Sequence, residues 1–556
     1  MGGEARSATG GGLLAPAGRF EAVAAAALLV LGIVACLRMG RGYFLADDFV
    51  QLANFAYWQS RGELWREVLA RFAASIDGVN GFYRPLTFVT YALNFTLGEA
   101  HAGRWLGVNL ALHLGNAAMI AFLVARLAGA PTRGTLVAAL GAAVFFFTFA
   151  PAWEVAAWVA CRYDALATFF TLATGLLVLS GRRGWALLAT VAALLSKESG
   201  AGAIVLAAIA AVLRAREHEP RARAWIHDSL HVLWPWVVVG LAYAALRWIV
   251  FGSPTEVYRG AHPQLLSPRH WATLLSTGIV FAREVFPGQP GVRGLVATSA
   301  VLLACGLWLA AARGRLAGIV AMIAMTLAAL ALLLPHVTGF EPNGIGGRLF
   351  YQPAAFLAAT LGLAAAHALT SLRDRAVVAT VACVAAAVFL AANIHWGVLA
   401  ARDYLEAQWS LRDAAGAIAR IASGSPDSDF DLVVVPDAVG RVPFARNAQA
   451  GLMMPPVQPR DFSRKLLVQT DAEIAAIDRT IDGGALSALR ALGLRGFMQN
   501  AGTRAWPRLA PSRYLCWDAR RHRMVTLTLA HARAGAIGEE LARAYAASDC
   551  ARAELP

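Results

Sequence analysis

The sequence predicts a polytopic α-helical membrane protein of about eleven transmembrane helices, carrying a small soluble α/β domain at its C-terminal end. Three observations predict it. Of the 556 residues, 58% are hydrophobic and only 15% are charged, against about 25% charged in an ordinary soluble chain. The apolar residues come in blocks roughly 15–23 long, a length suited to crossing a bilayer, as far as Leu399 and then stop. The arginines gather in short loops between the blocks, the placement that sets membrane orientation.

The blocks in order are 20–38, 105–125, 135–151, 165–180, 185–196, 200–213, 230–251, 294–312, 316–335, 349–370 and 376–397. The first, Phe20 to Leu37, follows Arg6 and Arg19 as a signal peptide would. Cys36-Leu37-Arg38-Met39 offers no small-x-small cleavage site, however, so the block reads as a retained span. Arg126 and Arg133, Arg182-Arg183, the run from Arg214 to Arg223, Arg313 with Arg315, and Arg373 with Arg375 fill five alternate loops. Placing all five in the cytoplasm puts the N-terminus there, and the odd span count puts the C-terminal part outside the inner membrane. The division expected is a membrane domain over 1–400 and an extracytoplasmic domain over 401–556.

Two blocks carry more than topology. Arginines flank both outer ends of 185–196 and 200–213, so the chain must rise and return. Each arm is roughly 18–22 Å long at the helical rise, short of a hydrocarbon core of about 30 Å. The turn Ser196-Lys197-Glu198-Ser199 is therefore expected below the outer surface, where charges are functional or paired. In the first outside loop, 40–103, the apolar run Phe88 to Leu97 is too short to cross, and amphipathic helices lying on the membrane face are expected.

After the membrane part, Trp409 to Ala422 reads as a helix leading out. Phe430 to Pro436 reads as a buried strand, and Asp471 to Ile481 as a helix stopped by Gly483-Gly484. Leu515-Cys516-Trp517 and Met524 to Leu529 read as strands. Cys516 and Cys550 show no metal-ligand spacing; outside the cytoplasm they either bridge or stay free. The net charge of +14 lacks the basic stripe with interleaved aromatics that nucleic acid would require.

The chemistry-bearing residues lie in the outside loops. Asp47 and Asp48 are adjacent acids beside a membrane helix, suited to general-base or metal work, or else to helix capping. Arg84 precedes Pro85 and is expected extended at a helix start, with Tyr83 before it; the alternative is an interfacial arginine in an aromatic belt. Asn109, His113 and Asn116 share one face of a span and suit a hydrogen-bonded strip between helices. Helical spacing puts Glu154, Trp158 and Arg162 on one face, either pointing at a substrate or paired internally, with Arg162 bonded to Asp164 or Glu154. Of 49 basic residues only Lys197 and Lys465 are lysines. A compact ammonium at a sunken turn suits a phosphate oxygen; the alternative is a pair with Glu198, disfavoured because neighbours on a helix do not face each other. Arg348 opens a span, where the helix dipole opposes it unless an anion is near; Tyr351 follows. The alternative is a snorkelling arginine.

In this order the motifs resemble the GT-C superfamily of glycosyltransferases that use polyprenyl-phosphate-linked sugars. The pattern is closest to the transmembrane and tetratricopeptide-repeat O-mannosyltransferases, of the protein O-mannosyltransferase-like kind. The matching pieces are Asp47-Asp48, Tyr83 to Thr87, Asn109 to Asn116, Glu154-Val155-Ala156 through Arg162-Tyr163-Asp164, Lys197-Glu198, and Arg348 to Pro353. The resemblance implies an inverting transfer from the lipid-phosphate sugar to a glycan, lipid or protein hydroxyl on the outer face. It implies Asp48 as base with Asp47 orienting. Arg84, Arg162, Lys197 and Arg348 would meet the departing phosphate. Tyr83, His113, Glu154, Asp164, Glu198 and Tyr351 are expected to support the substrate. The resemblance does not require a metal, and no cofactor is assigned; a divalent metal stays open. The family's repeat of about 34 residues is missing after Leu399. Two rivals remain: a lipid or polysaccharide flippase, which predicts charges strung along a path and an inverted repeat, and a non-catalytic envelope assembly protein, which needs neither Lys197 nor the acid pair.

Overall fold

The computed structural model describes residues 32–74, 82–129, 132–218, 222–253, 268–286, 316–333, 346–371, 376–425, 431–476, 511–529 and 537–552, with 33, 36, 463 and 464 left out. The expected spans 20–38 (almost all of it) and 294–312 lie outside these residues.

Three short helices follow the entry segment: α1 (Asp48–Ser60), α2 (Leu64–Ala70) and α3 (Pro85–Gly98). These fill the loop expected to hold surface helices. Pro85 stands at the first helical position of α3, where its missing N–H costs nothing. Next come α4 (Ala102–Ala128) and α5 (Arg133–Thr148). Thr132 caps α5 by accepting the Thr135 N–H at 3.1 Å, which meets one of the orphan donors of the first turn. At Phe149 the chain bends by 59° into α6 (Trp153–Ala157), followed by α7 (Arg162–Leu179), α8 (Arg183–Ser196) and α9 (Gly202–His218). The last membrane-side helices are α10 (Ala222–Phe251), α11 (Pro268–Val285), α12 (Leu316–Ala331), α13 (Tyr351–Ser371) and α14 (Ala376–Gly424).

Among the described residues six helices are long and apolar enough to cross a membrane, or seven if the bent pair at Phe149 counts as one span. That corrects the expectation of about eleven. Blocks 185–196 and 316–335 fold as helices of 14 and 16 residues, about 21 and 24 Å long, and do not reach across alone. The hairpin expected around Lys197 is present: α8 ends at Ser196, Lys197 is extended (φ −163°, ψ 157°), and the chain turns back into α9. Gly200 makes the turn possible, because a Cβ there would strike the Ala193 carbonyl. Helix α13 packs against α4, α5 and α12 and is the most enclosed of the candidate spans, whereas the spans in α10 and α14 are largely uncovered by protein. The exposed Leu230, Trp234, Leu241 and Ile249 of α10 and Val381 and Val384 of α14 are what a lipid-facing surface requires.

The boundary expected at 400/401 falls inside one helix. Span 376–397 and the expected helix at Trp409 are a single 49-residue α14, about 74 Å long, that carries the membrane part into the soluble domain. That domain has a four-stranded sheet built from β1 (Asp431–Val435), β4 (Leu466–Thr470), β5 (Arg513–Asp518) and β6 (Arg523–Leu527), with a two-stranded ribbon of β2 (Ala438–Val439) and β3 (Val442–Pro443) beside it. The sheet order is β4-β1-β5-β6. Central β1 runs parallel to both neighbours, with Val433 opposite Val468 and Leu515, and β6 pairs antiparallel to β5. Every residue of β1 and β4 is buried, the enclosure on both faces that parallel strands show, polar Asp431, Gln469 and Thr470 included. Strand β4 and the helices α15 (Gln449–Met453) and α16 (Ile537–Ala547) were not anticipated. The expected helix at Asp471 is a 3₁₀ turn over Asp471–Ala476, and its remainder lies outside the described residues. Cys516 and Cys550 are disulfide-bonded, 6.2 Å apart at Cα.

Candidate active site

The acid pair lies where the entry segment turns into α1. Asp47 sits at the cap position but makes no capping bond, so the capping alternative falls. Asp48 is 2% exposed. Its Oδ2 accepts the Leu45 N–H at 3.0 Å and its Oδ1 accepts the Ala160 N–H at 2.6 Å. The second donor comes from the chain just past α6, so the loop beyond α5 fixes the orientation of Asp48. Burial pushes the Asp48 carboxyl up to about 8; the backbone donors oppose this and the charge of Asp47 adds to it. Burial also raises Asp47, against the hydrogen bond from Asn447 and the charges of Arg348 and Arg446.

The cations form three ion pairs, two at the ring of Tyr163 and one at the ring of Trp158. Arg84 binds Glu198 (Nη2–Oε2 3.0 Å) and lies over Tyr163 at 4.1 Å from the ring centre. Lys197 Nζ binds Asp164 Oδ1, and the ammonium is 5.0 Å from the same ring. Arg348 Nη1 binds Glu154 Oε1 at 2.7 Å, over the Trp158 ring at 4.9 Å. Its charge is felt by Asp47, Tyr163 and Asp164, which joins the acid pair to the cation set. The disfavoured alternative, a Lys197–Glu198 pair, is not formed: Lys197 goes to Asp164 and Glu198 to Arg84. Glu198 also accepts the Tyr83 N–H at 3.2 Å, while the Tyr83 hydroxyl donates to the Phe72 carbonyl at 2.8 Å.

Four expectations need correction. Arg84 has φ −137° and ψ 45° rather than a fully extended backbone, because its side chain must turn to reach Glu198. Glu154, Trp158 and Arg162 do not share a helix face: α6 stops at Ala157 and Trp158 is extended. Arg162 is wholly buried and spends its guanidinium on Asn109 Oδ1 (2.7 Å), the Trp105 carbonyl (3.0 Å) and the Thr90 carbonyl (3.2 Å); this pins α3, α4 and α7 together and leaves no room for a phosphate. The anion expected beside Arg348 is the protein's own Glu154, whose Oε2 accepts the Gly346 and Arg348 N–H groups.

His113 and Tyr351 form the hydrogen-bonded strip. The Tyr351 hydroxyl lies 2.9 Å from His113 Nδ1 and accepts from Asn116 Nδ2 at 3.1 Å, while His113 Nε2 reaches the Phe147 carbonyl at 3.0 Å. This set ties α4 to α5 and α13. Two contributors escaped the sequence reading. Arg247 of α10 is 2% exposed and lies 4.0 Å from Glu198; an arginine inside an apolar block was the signal that could have found it. Asn447 of the soluble domain donates to Asp47 Oδ1 at 2.7 Å, and no motif marked it.

A cleft lined by Pro151, Glu154, Gly347, Tyr404 and Arg441 opens beside Arg348. Of the three cations in the ion pairs, Arg348 has the most exposed side chain, at 24%. Asp164 Oδ2 is buried with no hydrogen-bond partner, so the Lys197 pair is only half satisfied. Among the described residues, no group of three or more His, Cys, Asp or Glu side chains is arranged to hold a metal ion. No family model, curated protein or solved structure matches this chain.

Proposed function

We propose that this protein is an integral-membrane glycosyltransferase that moves a sugar from a polyprenyl-phosphate donor to an acceptor hydroxyl on the extracytoplasmic face. One observation carries the reading. A buried carboxylate raised to about 8 stands next to Asp47, which feels the charge of Arg348, and Arg348, Lys197 and Arg84 each come from a different segment of the chain. A flippase would string such charges along a path, whereas Arg84 and Lys197 share the ring of Tyr163 and Arg348 lies over Trp158, five residues earlier.

In the reaction, Asp48 takes the proton of the acceptor hydroxyl as its oxygen attacks the anomeric carbon. The bond from that carbon to the phosphate oxygen breaks on the opposite side, which inverts the centre. The leaving phosphate gains a negative charge, and donors placed where charge develops are the strongest stabilisers available. Arg348 and Lys197 take that role here, with Arg84 behind them. Because each has a carboxylate at rest, the empty site carries little net charge, and the phosphate enters by sharing those cations. Arg162 positions the helices and does not touch the donor. The donor's lipid occupies the membrane, and the acceptor enters by the cleft beside Arg348. The arginine-rich loops support a cytoplasmic N-terminus, and the Cys516–Cys550 bond supports an oxidising compartment for the soluble domain.

The test is Asp48→Asn in purified protein with a labelled polyprenyl-phosphate sugar. Loss of a general base lowers transfer by about 10²–10⁴-fold. Unchanged transfer by a folded variant overturns the proposal.

A further inference from the structure

The soluble domain reaches the acid pair. Its segment after β3 crosses over the start of α1, and the Ala46 N–H donates to the Phe444 carbonyl at 2.9 Å. Gly451 lies so close to Phe49 that a Cβ there would sit 2.6 Å from the phenylalanine Cβ. These two contacts dock the domain without using a carboxylate. A third contact is different in kind: Asn447 Nδ2 donates to Asp47 Oδ1 at 2.7 Å. Asn447 holds φ +60° and Ala46 φ +44°, so both sides of the junction adopt the left-handed region, where Asn is tolerated and a β-branched side chain is not.

From this geometry, and resting on the proposed function, we infer that Asn447 is a positioning residue for the Asp47–Asp48 pair, so that the soluble domain completes the catalytic site. The amide gives Asp47 a fixed donor, which holds its carboxylate in one orientation next to the base. The charged groups around this contact are Asp48 on α1, Arg348 at the start of α13, and Arg446 with Asp437 on the soluble domain. Arg446 pairs with Asp437 at 2.6 Å, and Asn447 donates to Asp47.

Two variants of the full-length protein test this. Asn447→Gly keeps the left-handed backbone and removes the amide; transfer falls about tenfold at pH 8, the size of one lost hydrogen bond to a charged group, with KM for the lipid donor unchanged. Asn447→Asp puts a carboxyl where the amide was. That group repels Asp47 when ionised and donates when protonated, so the variant's activity relative to wild type is lowest at pH 8 and recovers toward pH 5.5. A pH-independent loss that tracks a lowered melting temperature means a docking contact only and overturns the inference. Wild-type activity in both variants, alongside an inactive Asp48→Asn, overturns it while sparing the proposed function. If Asp48→Asn itself transfers normally, the proposed function falls and this inference falls with it.

Discussion

Around Asp48 a carboxylate is held by backbone amides, those of Leu45 and Ala160, and among the described residues it has no ion pair. Around Tyr163 and Trp158 each cation is held by a carboxylate: Arg84 by Glu198, Lys197 by Asp164, and Arg348 by Glu154. The two regions touch through the charges of Arg348 and Asp47, yet they solve burial differently. Amide donors orient an acid without neutralising it, so desolvation still lifts its pKa. Carboxylate partners neutralise a cation, and breaking such a pair leaves a bare buried charge. The acid side therefore keeps a carboxyl raised by burial, and the cation side keeps each charge beside a carboxylate partner.

Four measurements break or sharpen that contrast. The largest effect is expected at Lys197. Lys197→Met strands Asp164, already short of one partner, and lowers stability by about 3–5 kcal/mol in a thermal melt in detergent. Adding Asp164→Leu restores most of the stability and none of the transfer. If the double variant is active, the cation side is scaffolding. Next is Arg348→Ala, which removes a donor to the leaving phosphate and lowers transfer about 10²–10³-fold with a smaller stability loss, because this pair is the most exposed of the three. A loss confined to stability would put Arg348 with Arg162, as a brace.

The third measurement is pH dependence. The folded state holds the Asp48 proton more tightly than the unfolded chain does, since burial lifts the group from 3.8 to about 8. Its contribution to stability is complete below 3.8 and is lost as pH rises through about 8. Activity runs the other way: kcat/KM climbs about tenfold per pH unit below about 8 and then levels. A limb centred near 4 would mean that Asp48 is not desolvated. The smallest effect is at Tyr351→Phe, which deletes the hydroxyl between His113 and Asn116. It costs about 1–2 kcal/mol and leaves KM for the donor where it was. A large change in KM would bring this strip into the site.

Much of this was legible in the sequence, for reasons that differ by residue. Lys197 stood out because a lysine at the turn between two short apolar arms must be paired or functional, and its place on a hairpin follows from arm length alone. Asp47 and Asp48 were legible as a pair, and the buried strand at β1 as an unbroken apolar run. The span count misled because hydropathy does not separate a helix that crosses from one of 14 or 16 residues that rests on its neighbours, as α8 and α12 do. Glu154, Trp158 and Arg162 misled because a break at Trp158 leaves no mark in a run of alanines and valines.

Composition and arginine placement by themselves determined a helical membrane protein with a soluble C-terminal domain, since transfer free energy acts on each segment whatever its neighbours. They also marked which residue types carry chemistry. Only the tertiary structure decided who pairs with whom: that Lys197 takes Asp164 and leaves Glu198 to Arg84, that Arg162 is a brace, and that Asn447 meets Asp47 across 400 residues of sequence. A charge buried beside lipid must find a partner in three dimensions, and sequence spacing does not specify a partner brought in by another helix or another domain.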